Sequence, residues 1–237
     1  MIEKSISIMV DSASRPDLLE RCIASLQKHV NADAVKLIWM FHEAVIRSED
    51  SERCIEIAKR SGLFSIVKVE PNPRGQGVSI TQMLEMTESP YFLYWVDDHV
   101  AIRDIDIDSV VDCMNTCPDV NQITLHKRQI MSEVSGFKKG EVVRNGLKLT
   151  TSPHWRYMPS LWRMAWIWPR WQCFEGAGHH WQMNNVLQGG DIITGRKPRT
   201  VVWVIDKMGT YYLGGIGEQP YCESIGQGRG QRNPEYK

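Results

Sequence analysis

Apolar and polar positions over the first hundred residues switch repeatedly between two periods, and the switches predict a series of strands and helices. Residues 4–10, Lys-Ser-Ile-Ser-Ile-Met-Val, alternate as a strand does, which predicts a strand over 5–10. Asp11-Ser12-Ala13-Ser14-Arg15-Pro16 then supplies a turn. Leu18, Leu19, Cys22, Ile23 and Leu26 fall at helical spacing, and Pro16 and Asp17 suit the first turn of a helix over 16–29. The same reading predicts strands over 35–41, 65–69 and 91–96 and helices over 50–60 and 78–87. Such alternation argues for an α/β fold, a mostly parallel sheet flanked by helices on both faces. Further along, the pattern predicts a helix over 107–117, a strand over 122–126, a polar hairpin or loop excursion over 132–150, and a strand over 201–205. No internal repeat, low-complexity tract or linker divides the chain, so residues 1–237 are expected to form a single domain.

One of these strands ends in chemistry. Tyr91-Phe92-Leu93-Tyr94-Trp95-Val96 is continuously apolar, as a strand buried on both faces must be, and it stops at Asp97-Asp98-His99. Ligands of open α/β sheets bind beyond the carboxyl ends of the strands. Two carboxylates and an imidazole placed there can hold a divalent cation against a phosphate-bearing substrate; alternatively the strand simply runs into a polar turn.

Composition changes this picture little. Lys plus Arg and Asp plus Glu both total 28, so no global field advertises a polyanionic partner. An apolar content of 42% is enough for a full core. No apolar run reaches the ~18 residues of a membrane span, and no signal-peptide pattern opens the sequence, which predicts a cytoplasmic protein. The six cysteines (22, 54, 113, 117, 173 and 222) lack metal-type spacing and read as reduced thiols, with Cys113 and Cys117 on one packed helix face.

Three segments together carry a family resemblance. The strand, Arg-Pro-containing turn and helix over 6–26 come first, followed by Asn72-Pro73-Arg74-Gly75-Gln76-Gly77 and its helix, and then the strand ending in Asp97-Asp98-His99. In order and spacing these resemble the family 2 glycosyltransferases with the GT-A fold. The later Asp-x-Asp signature of that family corresponds to Asp97-Asp98-His99, its Pro-Ser-Leu-x-Arg-like segment to Pro159-Ser160-Leu161-Trp162-Arg163, and its Gly-Glu-Asp segment to Gly178-His179-His180-Trp181. The resemblance implies a nucleotide-sugar-binding half over 1–100, an acceptor half over 101–200, and a closing strand and tail over 201–237. It implies that Asp11, Ser12, Arg15, Glu43, Gly75, Gln76 and Asp97 line the nucleotide pocket, and that Asp97, Asp98 and His99 hold the metal.

The departures from the family pattern lie at informative places. Asp11-Ser12-Ala13-Ser14 replaces the usual Pro-Thr-Tyr-Asn, and Phe41-His42-Glu43-Ala44 replaces the acidic turn after the second strand, which leaves the nucleotide base open. His99 stands where the family carries the second Asp. Imidazole is a competent manganese ligand, so the substitution favours Mn2+ over Mg2+ without excluding the latter.

Six of the nine Trp residues lie between 155 and 181, interleaved with arginines. Two readings are open: a core helix packed on the sheet, or an acceptor platform of Trp155, Arg156, Trp162, Arg163, Arg170 and Trp171. Indoles stack sugars or unpaired bases, and guanidinium groups add phosphate contacts. An acceptor hydroxyl needs a base if configuration inverts, and Glu175, His179, His180 and Asp191 are candidates, with Glu175 and His180 preferred. The tail with Gly226, Gly228, Arg229, Gly230 and Arg232 reads either as a terminus or as a lid over a diphosphate.

The expectation is a metal-dependent glycosyltransferase, a hexosyl- or pentosyltransferase, that moves a sugar from a nucleoside-diphosphate sugar such as a UDP-sugar to a glycan or small glycoside. Its cofactor would be Mn2+ or Mg2+. A phage-type enzyme acting on a modified base in DNA is the alternative acceptor reading. A nucleotidyltransferase or a non-catalytic nucleotide-sugar or nucleic-acid binding module are the further alternatives.

Overall fold

A computed structural model of the chain describes residues 6–31, 35–43, 49–70, 76–126, 140–152, 155, 159–171 and 209–226, with the side chains of 35–43, 76–78 and 170 outside that description. The elements in chain order are β1 (Ile6–Ser12), α1 (Pro16–His29), β2 (Val30–Asn31), β3 (Val35–Glu43), α2 (Glu49–Ser61), β4 (Ile66–Glu70), α3 (Gln76–Glu85) and β5 (Tyr91–Val96). There follow β6 (His99–Ala101), β7 (Ile105–Asp106), α4 (Ile107–Thr116), β8 (Gln122–Thr124), β9 (Glu141–Arg144) and β10 (Leu147–Thr151). The last are β11 (Ser160–Arg163), α5 (Met164–Trp171), β12 (Thr210–Leu213) and β13 (Cys222–Ser224).

The main sheet has the order β4-β3-β1-β5-β11-β8-β12-β10-β9. Pairing is parallel from β4 through β5, and β8 and β12 keep that direction, so only β11 and β10 run against the rest. The expected mostly parallel α/β sheet is therefore present. After β1 the chain adds β3 and β4 on one side, then returns to place β5 on the other. That reversal opens a crevice between the carboxyl ends of β1 and β5, where ligands bind in sheets of this kind.

Strand alternation sorts the core into two layers. Ile6, Ile8 and Val10 of β1 and Tyr91, Leu93 and Trp95 of β5 share one cluster with Leu19, Cys22, Ile23 and Leu26 of α1 and Val110, Val111 and Met114 of α4. Met9, Phe92 and Tyr94 point to the opposite face and pack with Ile80, Met83 and Leu84 of α3 and Ile167 and Trp171 of α5. Burial on both faces is why β5 reads as an unbroken apolar run.

α1 begins with Pro at its first positions, and Asp106 caps α4 by accepting from the Ser109 N–H at 3.1 Å. The polar stretch before residue 152 forms the β9–β10 hairpin, turning at Asn145-Gly146, both with positive φ, as the tight hairpin turns demand. β11 is a strand where the sequence offered a platform or a helix: four residues inserted antiparallel between β5 and β8. A run that short carries no decisive period. The expected strand over 201–205 lies outside the described residues. Cys22, Cys54, Cys113, Cys117 and Cys222 are free thiols. Among the described residues no helix is long and apolar enough to cross a membrane.

Candidate functional site

The crevice between β1 and β5 gathers Asp11, Ser12, Arg15, Asp97, Asp98 and His99. The parallel register pairs Asp11 with Val96, and the Asp97 N–H donates to the Asp11 carbonyl at 3.0 Å, so the end of one strand fixes the end of the other. Asp97 is fully buried. Its Oδ2 accepts from Ser12 Oγ at 3.1 Å and from the Ala13 N–H at 3.0 Å, and its Oδ1 accepts from Arg15 Nη2. Arg15 also reaches Asp98 Oδ2 through Nη1 at 3.5 Å. Burial pushes the Asp97 carboxyl up to about 6, against the pull of Arg15, the Ala13 N–H and Ser12. For Asp98 burial acts the same way, but the His99 hydrogen bond and the charge of Arg15 outweigh it and hold the carboxyl below its ordinary value.

His99 is buried, and its Nδ1 lies 2.6 Å from Asp98 Oδ1. A carboxylate on Nδ1 selects the tautomer that carries its proton there, which leaves the Nε2 lone pair open. That Nε2 is buried without a hydrogen-bond partner among the described residues. The His99 carbonyl accepts from Trp95 Nε1 at 3.0 Å, so the residue is held at both ends. Asp11 in turn accepts from Tyr94 OH at 2.9 Å.

Two further groups lie at the site, of which only the second belongs to a segment singled out in the sequence, the glycine-containing tail. His126, just past β8, sets its ring 5.1 Å from that of His99 at 76°, edge against face. The segment after β13 folds onto the motif: Ile225 N–H donates to the Asp98 carbonyl at 2.7 Å, and a Cβ on Gly226 would lie 3.0 Å from Asp98 Oδ2. Neither sits within 25 residues of Asp97 in sequence, and no local motif pointed to His126.

A divalent cation suits these donors in kind. An oriented imidazole with an open nitrogen, beside carboxylate oxygens, is a manganese-compatible set. It is not a complete cage: among the described residues no three His, Cys, Asp or Glu side chains converge on one point. Magnesium sites of nucleotide enzymes commonly use one or two protein carboxylates and take the other ligands from substrate phosphate and water, and an incomplete protein set is compatible with such a site.

Of the two readings left open for the aromatic segment, the core one fits three of its tryptophans. Trp155, Trp162 and Trp171 are buried, with Trp162 packed at 5.1–5.3 Å against Phe92, Tyr94 and Trp155. Large indoles yield most when removed from water, and here they fill the layer between β5, α3 and α5 instead of forming an acceptor platform. Arg163 is also taken: it donates to the carbonyls of Met114, Cys117 and Val120 and to Tyr91 OH, closing the carboxyl end of α4. Trp166 and Trp168 are partly exposed. Arg156, Glu175, His179, His180, Asp191 and Gly75 lie outside the described residues, as do the side chains of Glu43, Gln76 and Arg170.

Solved structures share the architecture. Staphylococcus aureus TarS, residues 1–349, matches with a TM-score of 0.56 at 10% identity over 93% of this chain and 60% of that one. A longer TarS structure matches with a TM-score of 0.53 at 9% identity, over 93% of this chain and 36% of that one. The mannosyltransferase PcManGT from Pyrobaculum calidifontis, in complex with GDP-Man and Mn2+, matches with a TM-score of 0.50 at 10% identity, over 91% and 58%. The fold is of the GT-A type. This chain thus spans from about a third to three fifths of the length of these GT-A structures. At such identities the likeness is one of fold. No protein-family model matches the chain, and no curated protein does.

Proposed function

We propose that this chain is a metal-dependent glycosyltransferase that moves a sugar from a nucleoside-diphosphate sugar to a hydroxyl acceptor. The observation that carries this reading is Asp97-Asp98-His99 at the carboxyl end of a central strand, across the β1–β5 crevice, with His99 Nε2 buried and open. The PcManGT complex with GDP-Man and Mn2+ supports it as an example of a donor and a cation held on the same fold.

Each residue of the crevice has work in that reaction. Ser12 and the Ala13 N–H hold the Asp97 carboxylate in place, from where it would meet the donor's ribose or the metal. Asp98 orients His99, and Asp97, Asp98 and His99 would hold the cation, His99 through its open Nε2. Mn2+ or Mg2+ bound there would supply positive charge to stabilise the departing diphosphate. In the transfer, the bond from the anomeric carbon to the diphosphate oxygen breaks and a bond to the acceptor oxygen forms. The acceptor proton passes to a base, for which Glu175, His180 or Asp191 is proposed, and the nucleoside diphosphate leaves. Asp11, Glu43, Gly75 and Gln76 are proposed to complete the nucleotide pocket. We assign a glycan or small glycoside as the acceptor, with UDP as the first nucleotide to try.

Calorimetry with UDP and Mn2+ tests the reading. Wild-type protein should bind UDP in a Mn2+-dependent way, and His99→Ala should lose most of that dependence. Metal-dependent binding that survives unchanged in both Asp97→Ala and His99→Ala refutes it.

A further inference from the structure

Arg15 is an unusual neighbour for a cation site, because it is itself a cation on the same carboxylates. Its guanidinium spans both acids, Nη2 on Asp97 and Nη1 3.5 Å from Asp98. The backbone is pinned at the start of α1, where the Arg15 carbonyl accepts from the Leu19 N–H at 3.0 Å. The side chain is 38% exposed, so its head can move without disturbing the core. Its Nε is buried and has no hydrogen-bond partner among the described residues. Two carboxylates therefore leave part of the guanidinium fork unused, and a fork with spare donors matches the oxygens of a diphosphate.

Charge balance gives the arrangement a direction. Asp97 has no exposure to water, so in the empty crevice it needs a counter-charge, and Arg15 provides one. A divalent ion on the same acids would sit against that guanidinium, and like charges a few ångströms apart repel. A donor brings both a cation and an anionic diphosphate, which gives the displaced guanidinium a new partner.

We propose that Arg15 and the divalent ion take turns on Asp97 and Asp98: Arg15 holds the acids while the site is empty and transfers to the donor's diphosphate when ion and donor arrive together. The device rests on the metal-dependent reading above. It makes ion and nucleotide bind as a pair, with the ion alone held weakly.

The test is binding, without turnover. Mn2+ uptake is measured by electron paramagnetic resonance, with and without UDP, for wild type, Arg15→Gln and His99→Ala. Arg15→Gln should bind Mn2+ alone about tenfold more tightly, because a repelling charge is gone, yet bind UDP in the presence of Mn2+ about tenfold more weakly. A residue that merely braces the loop would weaken both. Equal or weaker Mn2+ binding by Arg15→Gln, with wild type taking up Mn2+ and UDP and His99→Ala failing to, overturns the turn-taking and leaves the metal-dependent reading intact. No Mn2+ uptake by wild type or Arg15→Gln under either condition overturns both. Should Arg15→Gln fail to fold, 15N-labelled wild type decides: the Arg15 Nε–H resonance should shift on adding UDP with Mg2+ and stay in place with Mg2+ alone. A resonance unmoved by UDP with Mg2+ overturns the proposal.

Discussion

Asp97→Asn should make this protein more stable at neutral pH while removing a residue the site depends on. The carboxyl is fully buried, and that burial raises its pKa from 3.8 to about 6 despite the pull of Arg15. A rise of about 2 units, at 1.36 kcal/mol per unit, corresponds to about 3 kcal/mol. The sign follows from proton linkage. The folded state holds the proton more tightly than the unfolded chain, so the stabilisation is fully present below pH 3.8 and is lost as pH rises through 6. Asn keeps the shape and one oxygen to accept from Ser12 and Ala13, but it never ionises. At pH 4 the two proteins should therefore be nearly equal. At pH 7.5 Asp97→Asn should be the more stable by about 2–3 kcal/mol. Urea unfolding followed by circular dichroism at pH 4, 5, 6 and 7.5, with chelator present throughout, measures the difference. A gap that stays constant over this range, or that favours wild type as pH rises, refutes the argument from burial. The expected result would mark Asp97 as a charge held at the expense of stability, as functional carboxylates commonly are.

Arg163→Met should lower stability by about 3 kcal/mol, since it strips charged donors from the buried carbonyls of Met114, Cys117 and Val120; a urea midpoint within error of wild type would count against the capping role. Glu175→Gln, His180→Asn and Asp191→Asn should each bind UDP normally, and loss of the true base should slow sugar transfer by ~10²–10⁴-fold; equal turnover in all three removes them as candidates. Acceptor affinity measured from low to moderate salt should barely change for a neutral glycan. A steep decline that flattens in Arg156→Ala and Arg170→Ala would turn the assignment toward DNA.

The first half of this fold was legible because its signals are local. Ile6, Ile8 and Val10 alternate with their neighbours, Leu19, Cys22, Ile23 and Leu26 recur at helical spacing, and β5 is apolar throughout because layers cover both its faces. The site's acids were legible for the same reason: a buried strand that stops at three metal-competent side chains is visible without any tertiary knowledge. What surrounds those acids was not. Arg15 lies 82 positions from Asp97, and Ile225 reaches Asp98 from farther still. No period or spacing encodes such contacts. The tryptophans stayed ambiguous for another reason, since an indole packed in a core and an indole offered to a sugar have the same sequence. β5, α3 and α5 around Trp162 settle which applies there.

The contact between Ile225 and the Asp98 carbonyl also bears on how the molecule is made. A nascent chain that has left the ribosome as far as residue 126 already carries β1, β3, β4 and β5, which pair side by side in the order β4-β3-β1-β5. It lacks β11, which must enter between β5 and β8, and β13, which must lie along β6. The acids are thus translated long before the segment that closes over them. The crevice takes its final form only once residues 225 and 226 have followed β13 out of the ribosome, more than a hundred residues after the acids they cover.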